Sequence, residues 1–330
     1  MRNLITDVPG VRVGAADDAR LASGVSVVLF EQPAAAGIAS LGGAPALRDG
    51  ALLAPEMTVG QVDAFVLSGG SAFGLDASGG VMAYLAALGR GFAKDDARVP
   101  IVPGAALFDL THGGDKKWGR RSPYGDLGYA AVESASADFA LGTAGAGYGA
   151  WTYDLKGGLG SASALSSRGF LVGALVAVNA AGRTTRGSGP HFWAASYERA
   201  GEFGGLGEGQ LPEDAFRLAL ASDDPVNTTL AVVVTDAVFS KAEMTRIAIM
   251  AAGGLALAIR PAFGPTDGDI VFAASTARAQ EAPTLRDLTE IGALAAECVA
   301  RSIARGVYEA TALPFLGAKP SWKDKYGRRG

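Results

Sequence analysis

Glycine punctuates this chain from end to end: 47 of 330 residues, about twice the share of an ordinary protein. The glycines follow no period and form no low-complexity tract, so a collagen-like or disordered chain is excluded. Between them lie short Ala/Val-rich runs of strand length. Scattered glycine around such runs demands many tight turns and close backbone approaches. At 49% apolar and 19% charged residues, the chain can bury a large core.

The formal net charge is −4, with mixed signs and no basic stripe, so nucleic acid is not an expected partner. The one cysteine, Cys298, cannot form an internal disulfide and sits in an apolar helical pattern, as a small buried hydrophobe does. With only His112 and His191 beside it, no thiolate or His-rich metal site is expected. The start, MRNLITDVPGVRVG, is too polar and too broken by Pro and Gly for a signal peptide. No apolar run reaches the roughly 18 residues of a membrane span. A cytoplasmic location without a membrane partner is the default expectation.

Period-2 or short apolar runs predict strands at 24–30, 63–68, 99–102, 170–179, 229–236 and 269–275. Helices are predicted at 73–88, from 125 to 139, at 212–222, at 240–258 and at 284–305. Ser240 with Glu243 forms a capping box at one start, and Pro212 with two acids marks another. Segment 182–210 reads as a surface loop, and the basic tail from Lys319 as a frayed terminus or a contact with a neighbouring subunit. Strands and helices mix without a simple βαβ repeat. That describes an α/β chain with layered sheets and helices outside.

Several polar motifs interrupt this pattern. Gly69–Gly74 (GGSAFG) lies between a strand and a helix. It is either a tight turn or an anion site at a helix start, and it lacks the Lys-Ser/Thr of a phosphate loop. Asn227-Thr228-Thr229 lies between a polar turn and a buried strand. It is an ordinary strand start, or a place where the Thr228 hydroxyl attacks the Asn227 carbonyl and cuts the chain. Cleavage would free an α-amine of reference pKa about 7.7–8.0 beside the hydroxyl, joining base and nucleophile in one residue. Asp267 and Asp269 share one face if extended, where they could orient that amine or hold a substrate ammonium; a solvated turn is the plainer reading. Asn179 ends a strand, as a turn residue or as an oxyanion donor.

Nine segments, in order, resemble the L-aminopeptidase/D-alanine-esterase family, which includes β-peptidyl aminopeptidases and nylon-oligomer endohydrolases. They are ITDVPGVRVG, VDAFVLSGGSAFGLDASGGV, VPIVPGAALFDL, PYGDLGYAA, AGAGYGA, KGGLGSAS, ALVAVNAAG, NTTLAVVVTDA and IRPAFGPTDGDIVFA, spanning 5–273. The resemblance implies a four-layer αββα sandwich, similar to N-terminal-nucleophile hydrolases but differently connected and shared with ornithine acetyltransferases. It implies one hydrolase domain over 1–330, self-cleaved into an α chain, 1–227, and a β chain, 228–330. The cut lies between Asn227 and Thr228, with Thr228 as nucleophile.

Carried over by motif, Asn179 is the oxyanion asparagine, and Asp267 and Asp269 are the polar pair beside the nucleophile. Lys156, the only lysine in 145–160, stands where the nylon-oligomer branch has a catalytic lysine. Phe108 stands near the place of an oxyanion-hole tyrosine of the aminopeptidase branch. Gly70 and Ser71 shape the substrate pocket. The implied substrate is a small peptide or amide, no cofactor or metal is needed, and the assembly is a homo-oligomer, a tetramer of αβ heterodimers. The rival expectations are an acyltransferase of the ornithine-acetyltransferase type and a non-catalytic binding protein on the same fold.

Overall fold

The computed structural model describes residues 1–218 and 227–327. In chain order the elements are β1 (Val11–Asp18), β2 (Ser23–Ser40), β3 (Ala46–Arg48), β4 (Gln61–Ser68), α1 (Ala77–Ala87), β5 (Phe92–Lys94), β6 (Ala97–Val99), β7 (Gly104–Ala106) and α2 (Tyr124–Glu133). Then come β8 (Gly158–Leu165), β9 (Leu171–Val178), β10 (Leu230–Thr235), α3 (Lys241–Ala258), β11 (Ile270–Ser275), α4 (Leu285–Glu309) and α5 (Trp322–Tyr326).

The main sheet runs β3-β7-β4-β2-β11-β10-β9-β8, with β1 paired to β2. Strand β2 is what makes one hydrogen-bonded path serve two layers. Its residues 25–29 and 34–35 pair with β4, its residues 35–40 pair with β11, and the register with β4 shifts between Leu29 and Ala34. Such an irregularity bends a strand and increases its twist. The inner faces then meet, with Phe65 of β4 stacked on Phe272 of β11 at 4.6 Å between ring centroids. Leu175, Leu230, Val232 and Val234 bury in the same middle layer.

Helices close both outer faces. Ala231 and Val233 of β10 join Ile247 and Leu255 of α3 and Ile291 and Val299 of α4. On the other side, Val25, Val27 and Val66 pack with Val81 and Leu85 of α1 and Val132 of α2. Alternate β10 side chains thus enter different apolar layers, which is why its sequence, LAVVVT, is apolar almost throughout. The result is the four-layer αββα sandwich. Where a helix crosses a strand closely, the strand supplies glycine: a Cβ on Gly160 of β8 would lie 1.8 Å from Ser302 O of α4.

Ser240 caps α3 and exchanges its hydrogen bonds with Glu243, as expected. In α4 the stripe Ile291, Ala295 and Cys298 is buried, and burial pushes the Cys298 thiol up to about 12. Four expectations need correction. The strand placed at 99–102 lies instead at 104–106, because Pro100 and Pro103 have no N–H for a ladder. The helix placed at 212–222 is a turn over 212–217, with its last residues, 219–222, outside those described. Segment 182–210 is irregular but not merely a surface loop, since Phe192, Ala194 and Phe203 anchor it in the core. The tail is not frayed through 327: α5 buries Trp322, whose Nε1 donates to Pro190 O at 2.9 Å.

Candidate active site

Strand β10 is central, antiparallel to β9 and parallel to β11. Its entrance therefore lies beside the exit of β9 and the entrance of β11. Extending both registers by two residues sets Thr228 opposite Asn179 on one side and Gly268 on the other. The hydrogen bonds follow this extension: Thr228 N donates to Asn179 O at 2.8 Å and Gly268 N to Asn227 O at 3.0 Å. Three segments far apart in sequence meet because three strand ends coincide.

The Asn227–Thr228 peptide lies deep, with Asn227 5% and Thr228 4% exposed. Thr228 Oγ1 donates to the Asn227 carbonyl oxygen at 2.6 Å. The Thr228 nitrogen here is a peptide amide.

Asp267 and Asp269 are buried beside it, not solvated. Asp269 accepts from Thr229 N at 2.8 Å and Phe263 N at 3.0 Å, which holds the 263–269 loop against β10. Burial raises its carboxyl above the ordinary value, opposed by those two N–H groups. Asp267 Oδ2 accepts from Gly264 N at 3.0 Å, while its Oδ1 is buried with no hydrogen-bond partner among the described residues. Burial first, then the neighbouring Asp269 charge, pushes Asp267 up to about 6. A buried acceptor without a donor, next in sequence to Gly268, the residue opposite Thr228, is suited to receive an ammonium.

Asn179 is fully buried; its Oδ1 accepts from Trp151 N at 2.9 Å and its Nδ2 donates to Phe108 O at 2.9 Å. The amide carries a second N–H. Phe108 thus meets Asn179 through its backbone carbonyl. Lys156 Nζ, also fully buried, donates to Gly147 O, Ala150 O and Gly157 O at 2.8–3.0 Å. Burial pulls its ammonium down to about 7, opposed by the charge of Asp109. No hydrogen bond joins Lys156 to Thr228 among the described residues; the lysine fastens the turn that leads into Trp151.

Gly70 and Ser71 reach the site through the 107–112 loop. Ser71 N donates to Leu107 O and Gly70 N to Asp109 Oδ1, both at 2.8 Å. Ser71 holds a left-handed backbone, φ 53°, a strained state for a residue with a side chain. Neither residue bonds Thr228 among the described residues.

Asp109, not among the residues the motifs single out, is fully buried and also accepts from Ser23 Oγ at 2.5 Å. Lys116 Nζ lies 4.0 Å from it, while burial raises its carboxyl. His112, likewise not among them, is stacked on Trp151 at 4.3 Å and pulled down to about 4 by burial. Asp109 stood inside a segment already singled out (VPIVPGAALFDL), so its acid among apolar residues was the available signal. Among the described residues no cluster of His, Cys, Asp and Glu could hold a metal ion, and no helix is long and apolar enough to cross a membrane. A hollow of about 570 Å³ lined by Val59, Phe92 and Val99 shares no residue with this cluster.

The sandwich has the N-terminal-nucleophile hydrolase fold in a variant form. It is the arrangement of the solved L-aminopeptidase D-Ala-esterase/amidase of Ochrobactrum anthropi, described as a prototype for the serine aminopeptidases and a new variant of that fold (TM-score 0.71, 19% identity, 99% of this chain and 95% of that one). A Burkholderia sp. beta-aminopeptidase is similar as well, at TM-score 0.69 and 22% identity over 99% and 92% of the two chains. In sequence, an uncharacterized aminopeptidase of Mycobacterium bovis is 41% identical over 98% of each chain. One of Mycobacterium leprae is 38% identical over 91% of this chain and 89% of its own. The family model of peptidase family S58 matches residues 3–319. The chain belongs to peptidase family S58, and is a hydrolase of the aminopeptidase type.

Proposed function

We propose that the chain activates itself by cutting between Asn227 and Thr228 and then uses Thr228 as an N-terminal nucleophile on small peptides or amides. The observation that carries this reading is the buried Asn227–Thr228 peptide, with Thr228 Oγ1 2.6 Å from the carbonyl oxygen. A hydroxyl held there is placed for attack on its own preceding carbonyl. The names of the relatives support an aminopeptidase; their solved prototype is described as a serine enzyme, and here threonine fills that role.

After cleavage the freed amine keeps Asn179 O as an acceptor and acts as the base for Oγ1. Oγ1 attacks the substrate carbonyl, the amine passes the proton to the leaving nitrogen, and the acyl group moves to Thr228. Water then releases it. Asn179 Nδ2 stabilises the oxyanion with its second N–H, an interaction typically worth about 2.7–4 kcal/mol. Asp267 Oδ1 receives the ammonium of Thr228 or of the substrate, Asp269 holds the loop, and Lys156 holds the turn before Trp151. Gly70 and Ser71 border the pocket. No metal or organic cofactor takes part. The reading includes an oligomer of αβ units, 1–227 with 228–330, in the cytoplasm.

Mass spectrometry of the purified protein tests it. Wild type should yield a fragment that begins at Thr228, and Thr228→Ala should stay whole and inactive; a wild-type chain that stays whole overturns the reading. A substrate panel of L-amino-acid amides, D-alanine esters, β-peptides and ω-amino-acid oligomers then separates the four compatible classes.

A further inference from the structure

We infer that Gly268 is a catalytic residue of the self-cleavage, supplying from its backbone N–H the oxyanion donor for the Asn227 carbonyl. The inference rests on the self-cleavage reading. Its observation is separate: Gly268 N donates to Asn227 O at 3.0 Å, on the oxygen that Thr228 Oγ1 also touches. The Asn179 side chain, bonded to Phe108 O and Trp151 N, makes no hydrogen bond to that oxygen. The first reaction and later turnover thus use different donors.

In the step itself, Thr228 Oγ1 bonds to the Asn227 carbonyl carbon and the oxygen becomes an oxyanion. That charge develops where the Gly268 N–H already points. The carbon–nitrogen bond then breaks, and the proton from Oγ1 ends on the departing nitrogen, leaving an ester. Water hydrolyses the ester to an Asn227 carboxylate and restores the Thr228 hydroxyl. Asp269 fixes the donor, because its bond to Thr229 N and the Ile270 N–Thr229 O bond at 3.2 Å lock this part of the ladder.

The absence of a side chain at 268 is part of the device. A Cβ there would lie 2.5 Å from Thr228 Oγ1, 3.0 Å from Ala44 O and 3.3 Å from Pro45 Cα. The nearest atom is the tip of a side chain that can rotate away, and the backbone of Gly268 is outside the left-handed region. Alanine there pushes Thr228 Oγ1 off its carbonyl and asks the Ala44 backbone to give by a few tenths of an ångström.

The test follows fragment 228–330 over time in wild type, Gly268→Ala and Gly268→Pro, with circular dichroism and thermal melting as the fold control. Gly268→Ala crowds Thr228 Oγ1 but keeps the N–H, whereas Gly268→Pro adds the same Cβ and removes the N–H. Gly268→Pro should therefore cut about 100-fold more slowly than Gly268→Ala, and added hydroxylamine, which cleaves esters, should release no extra fragment from it. Equal cutting by the two variants overturns the inference alone. So does hydroxylamine release from the proline variant, since the ester would already have formed. A wild-type chain that stays whole removes the self-cleavage reading and this inference with it. Should Gly268→Pro misfold, amide exchange in the uncut Thr228→Ala protein decides: Gly268 N–H must be protected, and exchange at the free rate overturns the inference.

Discussion

At the scale of single residues, Asp267 offers the sharpest physical readout. Its folded value near 6 lies above the ordinary carboxylate value of 3.8. The native state therefore favours the protonated acid, and that contribution to stability is present below about pH 4 and lost as pH rises through 6. In the uncut Thr228→Ala protein, which has no freed amine, Asp267→Asn should remove this slope. Chemical denaturation from pH 4 to 7 should show the stability difference between the two proteins change by about 2–3 kcal/mol; parallel profiles would contradict the assignment. For Asn179, truncation to Ala should lower kcat more than it weakens substrate binding, and the opposite pattern would take it out of the oxyanion hole.

At the scale of elements, the turn before Trp151 hangs on Lys156. Lys156→Met keeps the length of the side chain but takes a donor from three buried carbonyls, of which Ala150 O keeps Gly157 N at 2.9 Å and Gly147 O keeps Ala150 N at 3.3 Å. It should cost about 1–3 kcal/mol in thermal or chemical denaturation. Unchanged stability with lost turnover would instead make Lys156 a chemical participant. The elements also show what a reader of the sequence can see. Strands β9, β10 and β11 were legible because both faces are buried, so LVGALVAV, LAVVVT and IVFAAS are continuous apolar runs. Strand β8 (GLGSASAL) was not, since its small residues answer to the close approach of α4 and carry no apolar signature. Strand β1 (VRVGAADD) hides behind its acids, and β3 and β7 are only three residues each. For the site, Thr228, Asn179 and the paired Asp were visible as polar breaks at strand ends. Their meeting depends on a mixed parallel and antiparallel register, which local pattern does not encode. The part played by Gly268 was invisible, because an N–H and a missing Cβ look like any other turn glycine.

At the scale of the molecule, the cut would fall inside one sheet. Strand β9 lies upstream of it and β10 and β11 downstream, and residues of both parts, Val172 and Val176 with Ile291 and Val299, fill one apolar layer. The two fragments should therefore co-elute on size-exclusion chromatography and separate only in denaturant, in one unfolding transition; free 1–227 in native buffer would contradict this. The coincidence of three strand ends at Thr228 has a further consequence. Oγ1, its carbonyl and the Gly268 N–H come into line only after β9, β10 and β11 have paired in their native register. In the proposed scheme a misregistered chain cannot arm itself, so the broken peptide bond is a permanent record that the molecule once folded correctly.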